Sequence, residues 1–143
     1  MDELDRALIA QLSGNARMSL ATLARRLGVA RSTAQARLER LERSGRIAGY
    51  TLRLGEEVRE GRIGATVLLQ IEPRAQAGVL ARLRALPEVE RIHTTSGRFD
   101  LLVQLVAATP AALDGVLDRI GAATGVRSSE SLIHLATKID RSL

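Results

Sequence analysis

Residues 19–45 read SLATLARRLGVARSTAQARLERLERSG, and they decide the fold of the amino-terminal part of the chain. Leu20, Leu23, Ala24 and Leu27 recur at helical spacing and make one apolar stripe. Ser19 is suited to cap that helix and Gly28 to stop it in the left-handed conformation. After a tight turn at Gly28-Val29-Ala30, Ala34, Leu38 and Leu41 form a second, narrower apolar face that Gly45 ends. The remaining faces carry Arg31, Ser32, Thr33, Gln35, Arg40 and Arg43. A short helix, a glycine turn and a helix with one apolar and one Arg/Gln/Ser/Thr face predict a helix-turn-helix. Its second helix is then the candidate reader of a DNA major groove. The competing reading is an ordinary helical hairpin with solvated arginines.

Charge placement favours the first reading. Residues 1–53 hold 10 Arg against 5 acids, a net of +5, whereas residues 54–143 hold 11 basic and 11 acidic residues. All the excess positive charge lies on the segment with the helix-turn-helix, as a polyanion partner requires. The 143 residues admit one domain or two small ones, and the 45% hydrophobic content fits a folded protein. With no cysteine, disulfides and thiolate metal sites are excluded. No signal peptide or bilayer-long apolar run is visible, so a cytoplasmic location away from membranes is expected.

Around this centre, residues 2–12 predict a first helix, capped by Asp2, with Leu4, Leu8, Ile9 and Leu12 apolar. The three helices make a unit of about 45 residues, near the lower limit for a core that folds alone. Arg46–Leu54 (RIAGYTLRL) reads as a strand, and GEEVREGRIG after it as a polar hinge. The expected divisions are 1–45 for DNA binding, 46–61 for strand and hinge linker, and 62–143 for a second domain.

From Ile63 the pattern changes. IGATVLLQIEP predicts a strand, 74–86 a helix, ERIHTTS a strand, Gly97-Arg98 a turn and FDLLVQLVA its partner strand. Thr109-Pro110 opens a helix carrying Leu113, Val116, Leu117 and Ile120, and SSESLIHLAT is the last strand. The order βαββαβ is ferredoxin-like. The fold class is therefore α+β: an N-terminal three-helix, winged helix-turn-helix domain plus a C-terminal ferredoxin-like domain. Two helices cover one sheet face, and the other is apolar enough to pair with a second sheet, most simply in a two-fold homodimer.

At this point the whole chain resembles the Lrp/AsnC family, the leucine-responsive and asparagine-responsive regulators of bacteria and archaea. The resemblance rests on Asp2-x-x-Asp5 with Leu8-Ile9, on Arg17, Leu23-Ala24 and Gly28, and on Arg37, Leu41, Gly45, Ile47 and Tyr50. In the second half it rests on Pro87-Glu88-Val89, Gly97-Arg98-Phe99-Asp100 and Gly125-Val126. It implies a transcriptional regulator whose second half senses an effector, most often an amino acid, and whose dimers assemble further into tetramers or octamers. Three positions depart from the family pattern. Ala30 stands where a capping Ser is usual, so Ser32 with Gln35 is left to form a capping box one turn later. Arg98 stands where an acidic or small residue is common, and Ser129-Glu130-Ser131 where the family has Thr-x-Thr.

The candidate DNA contacts are Arg31, Ser32, Thr33, Gln35 and Ala36, at the start of the third helix, with Arg40 and Arg43 as phosphate contacts. Arg25 and Arg26 read equally well as solvated helix ends, and Arg37 equally well as an internal ion pair with Asp5. The candidate effector corner comprises Thr95, Gly97, Arg98, Asp100, Ser129 and Ser131. Asp100 would accept the ligand's ammonium and the Gly97 turn its carboxylate. Alternatively Gly97 is only a turn glycine and Asp100 bonds to backbone; the family resemblance shifts the balance to the effector reading. His93 and His134 fall on opposite sheet edges and cannot share a metal within a subunit, and no cofactor is expected.

Rival functions fare worse. An RNA-recognition sheet needs stacking aromatics, and Tyr50 and Phe99 are the only two in the chain. No nucleophile triad, P-loop or metal cluster argues for an enzyme. The surviving alternative is a stand-alone ligand-sensing or assembly module with weak or no DNA binding.

Overall fold

The computed structural model describes residues 1–141; the last two positions of the expected 62–143 domain lie outside them. The chain divides into two compact units, one built from residues 1–53 with Arg141, the other from residues 54–140.

In the first unit, α1 spans Glu3–Gly14, α2 Leu20–Leu27 and α3 Arg31–Arg43. Each boundary has a local cause. Asp2 and Asp5 form a reciprocal capping box on α1, each carboxylate accepting the other residue's backbone N–H at 3.0–3.1 Å. Ser19 Oγ accepts the Thr22 N–H at 3.1 Å to cap α2. Gly28, at φ +67°, ends α2 in the left-handed conformation, and Val29 N–H then donates back to the Ala24 carbonyl. Leu8, Leu12, Leu23 and Leu41 form the buried centre, with Ile9, Met18, Leu20, Leu27, Leu38 and Ile47 packed around it.

Two expectations are corrected here. The strand over 46–54, and with it the wing, does not form: the segment has no strand pairing, and Tyr50, Leu52 and Leu54 stand exposed. A strand needs a partner for its N–H and C=O groups, and the described residues of this unit contain no second strand. Of this segment Ile47 joins the core through its side chain, and its N–H donates to the Leu41 carbonyl. The Ser32–Gln35 capping box is also absent. α3 begins at Arg31 behind Ala30, which gives no side-chain cap, and Gln35 instead donates to Glu39 at 3.1 Å.

The second unit opens with a single exposed turn of helix, α4 Glu56–Arg59, inside the expected hinge. Then follow β1 Ile63–Ile71, α5 Gln76–Arg84, β2 Val89–Thr94, β3 Leu101–Ala107, α6 Pro110–Gly121 and β4 Val126–Ile133. The helix expected over 74–86 is split: Pro73–Ala75 make a 3-10 turn before α5 begins, and the Glu72 N–H is drawn to the Gly125 carbonyl at 2.8 Å. The sheet order is β2-β3-β1-β4 with every pairing antiparallel, the ferredoxin-like arrangement. Ala65, Val67, Leu69 and Ile71 of β1 and Leu101, Val103, Leu105 and Ala107 of β3 alternate inward. They pack against Val79 and Leu83 of α5 and Leu113, Val116 and Ile120 of α6. Gly125 lets β4 start close under the 3-10 turn: it sits at φ +94°, and a Cβ there would lie 2.3 Å from that of Ala75.

Among the described residues, the opposite sheet face carries no helix. Register places Leu102, Leu68 and Glu130 in one row across it and Gln104, Thr66 and Leu132 in the next. This face is thus mixed, less apolar than the continuous strand runs suggest. His93 and His134 belong to the two edge regions, as expected; His134 sits over Gly64 and its Nε2 lies 2.8 Å from Thr66 Oγ1.

Candidate nucleic-acid interface and effector corner

Burying Ala34 and Leu41 on the inner face of α3 turns Arg31, Ser32, Thr33, Gln35 and Ala36 outward, where all five are exposed. Arg43 is exposed at the carboxyl end of the same helix. Arg40 differs from its sequence reading: its guanidinium grips both carboxylate oxygens of Asp5, at 2.8 and 3.0 Å. Asp5 is fully buried, yet the network around it is complete. Arg37 Nη1 donates to Asp5 Oδ1 at 3.3 Å and to the Asp2 carboxylate, so Arg37 takes the internal pairing that the sequence left open.

This network ties α1 to α3 by charge. The Arg37 hydrogen bond, with help from the Asp5 N–H, holds the Asp2 carboxyl down at about 2. Burial pushes the Asp5 carboxyl up, but the Asp2 N–H, Arg37 and Arg40 outweigh it, so its pKa also ends lowered. Those carboxylates raise the pKa of Arg37. Further along, Tyr50 Oη donates to Glu42 Oε1 at 2.7 Å. Partial desolvation first, and this bond to an anion second, push the phenol up to about 12.

In the second unit the Thr95–Asp100 loop joins β2 to β3. Gly97 takes φ +99°, a left-handed turn position, and Thr95 Oγ1 donates across the loop to the Phe99 carbonyl at 2.7 Å. Asp100 is bound to backbone on several sides. Its N–H donates to the Leu69 carbonyl at 2.8 Å and its Oδ2 accepts the Ile71 N–H at 2.9 Å. The latter bond falls where the β1–β4 register shifts between Gln70 and Ile71, so a side chain meets a donor at the irregularity. The backbone reading of Asp100 is therefore the one realised in its contacts.

Beside this loop lies an open depression of about 410 Å³, lined by Gln70, Arg98, Phe99, Ser128, Ser129 and Glu130. Of the expected effector residues, Arg98 and Ser129 reach it; Thr95, Gly97, Asp100 and Ser131 do not line it. Arg98 leans over the Phe99 ring, 4.9 Å from its centroid, and its Nη2 stands 3.7 Å from Glu130 Oε2. Gln70, Ser128 and Glu130 escaped the sequence reading. They share the open face only through the β1–β4 register, which pairs Gln70 with Ser128 and Leu68 with Glu130. Among the described residues no cluster of His, Cys, Asp and Glu suits a metal, and no helix is long and apolar enough to cross a membrane.

Comparison with known proteins fits this geometry. Residues 1–42 match the AsnC-type helix-turn-helix domain, and residues 64–143 match the Lrp/AsnC ligand binding domain. The chain belongs to the Lrp/AsnC family. Among its relatives, the regulator LrpA of Mycobacterium tuberculosis is 31% identical over 93% of this chain and 89% of its own. The regulatory protein AsnC of Escherichia coli K12 is 28% identical over 100% and 95%. The structure of E. coli AsnC superposes with a TM-score of 0.89, covering 100% of this chain and 97% of that one. A feast or famine regulatory protein from M. tuberculosis, complexed with L-methionine, superposes at 0.87 with 31% identity, covering 99% of this chain and 97% of that one. This Lrp/AsnC member is accordingly a helix-turn-helix transcriptional regulator with DNA as a partner and a ligand-binding half.

Proposed function

We propose that this regulator binds duplex DNA as a cytoplasmic homodimer through residues 1–45, and that an amino acid held by residues 62–143 alters that binding. Residues 46–61 serve as the linker. The observation that carries the DNA half is the outward row Arg31, Ser32, Thr33, Gln35 and Ala36 on the unit that holds all the excess positive charge. These side chains match base-edge and phosphate chemistry: Gln35 an adenine, Arg31 a guanine, Ser32 and Thr33 either bases or phosphates. Arg43 meets a phosphate from the exposed end of α3. Arg40, held by Asp5, offers its remaining N–H groups to the backbone and fixes the angle of the helix. The amino-acid class is supported by the L-methionine complex of the M. tuberculosis relative and by the polar depression beside the Thr95–Asp100 loop. In that loop Gly97 and Asp100 hold the shape from which Arg98 projects, with Ser129 and Ser131 on β4, one strand beyond β1.

A second reading, a sensing or assembly module with weak DNA binding, draws on the uncapped start of α3 at Ala30. Fluorescence anisotropy of the full chain on its own upstream DNA separates the two. Regulator binding should fall steeply as salt rises, because each neutralised phosphate releases counterions. Gln35→Ala should relax base preference at one position of each half-site, while Arg43→Ala should weaken all sequences alike. No binding at low salt would establish the module reading instead.

A further inference from the structure

We infer that Arg98 and Glu130 form a charge latch across the depression, and that a zwitterionic amino acid with an uncharged side chain opens it. The ligand's carboxylate goes to Arg98 and its ammonium to Glu130. This rests on the amino-acid reading above and deepens it.

The sequence offers Asp100 as the ammonium acceptor, but Asp100 spends one carboxylate oxygen on the Ile71 N–H and does not line the depression. The anion that does line it is Glu130, and the cation is Arg98. At 3.7 Å, with side chains 74% and 53% exposed, the two attract each other without a tight hydrogen bond. Pairs this exposed are held weakly, so opening one costs little. A molecule bearing an ammonium and a carboxylate on one carbon replaces that loose pair with two charge-assisted contacts. The rim is already fixed for the exchange. Ser128 Oγ donates to Gln70 Oε1 and Gln70 Nε2 donates to the Arg98 carbonyl, both at 2.8 Å. This anchors the backbone of Arg98 while its guanidinium stays free to leave the Phe99 ring. One cation and one anion make the lining neutral, so a dicarboxylic amino acid would set its extra charge against Glu130 and a diamine against Arg98.

Calorimetry on the full-length chain tests the latch, first with each of the twenty L-amino acids. The tightest binder and its des-amino carboxylate are then titrated into the parent, Glu130→Gln, Arg98→Gln and Asp100→Asn, with each Tm recorded. The parent should prefer an uncharged side chain to aspartate, glutamate or lysine. Glu130→Gln should weaken the amino acid by about tenfold or more and leave the des-amino carboxylate unchanged, erasing the discrimination between them. Arg98→Gln should weaken both. Asp100→Asn keeps an oxygen for Ile71 and should bind within about threefold of the parent. Parent-like binding by Glu130→Gln and Arg98→Gln would overturn the latch while the amino-acid reading stands; so would loss of binding in Asp100→Asn alone at unchanged Tm. If none of the twenty binds the parent, the amino-acid reading falls and the latch with it.

Discussion

Asp5 is the one charged residue with no solvent exposure among those described, and its surroundings explain how it is tolerated. A buried carboxylate needs partners for its oxygens, and here they are a backbone N–H and two guanidinium groups. Because Asp2 titrates at about 2 and Asp5 is also lowered, both bind protons more readily in the unfolded chain. The stabilisation from Asp2 is complete above the ordinary carboxylate value and drains as pH falls from about 4 toward 2, and that from Asp5 is lost in the same direction. Urea unfolding across that window should show a falling midpoint, and Asp2→Asn should flatten the fall. Tyr50 titrates in the opposite sense. With its pKa raised to about 12, it favours the folded state fully below about pH 10 and loses that contribution as pH rises toward 12. It is the only tyrosine in the chain, so ultraviolet titration should read a midpoint near 12 in the native protein and near 10 in denaturant.

Among the elements, α3 is the least favoured at its own start. Ala30 has the extended backbone of an N-cap, φ −65° and ψ 148°, but supplies no acceptor. Ser19, with nearly the same backbone, φ −65° and ψ 150°, does supply one to α2. Ala30→Ser should therefore add about 1 kcal/mol to stability, measured as a rise in the urea midpoint at unchanged m-value. If serine leaves the midpoint unmoved, solvent already satisfies the first N–H groups of α3 as well as a hydroxyl would. The α1 start shows what a full cap achieves: Asp2 and Asp5 satisfy each other and then present the carboxylates that hold α3. The expected strand over 46–54 fails for the contrary reason, since a strand has no internal hydrogen bonds to fall back on.

For the whole molecule, the decisive asymmetry is the sheet with α5 and α6 on one face only. Its open face still exposes Leu132, and beyond β4 the chain exposes Leu135 and Ile139 as well. Apolar area left on one side of a sheet favours burial against another copy. Light scattering at micromolar concentration should give at least a dimer, and a stable monomer would remove the homodimer from the proposed function. Leu68→Glu, placed at the middle of that face, should shift the protein toward monomer without unfolding it, because position 68 is only half-buried in the single chain.

The two helical stripes, the caps at Asp2, Ser19 and Thr109, the Gly28 stop and the βαββαβ order were all legible in the sequence. They depend on spacing within a few residues, where periodicity and capping chemistry act. The outward face of α3 was legible for the same reason, since fixing Ala34 and Leu41 inward fixes the rest. Tertiary structure alone decided the partners of Arg37 and Arg40, 35 residues from Asp2 and from Asp5 respectively, because an arginine's reach is blind to sequence distance. It alone committed Asp100 to Ile71, through a register shift that no local pattern announces. It alone set Glu130 across from Arg98, since which residues of a β4 edge strand share a face with β1 is fixed by strand pairing and by nothing in β4 itself.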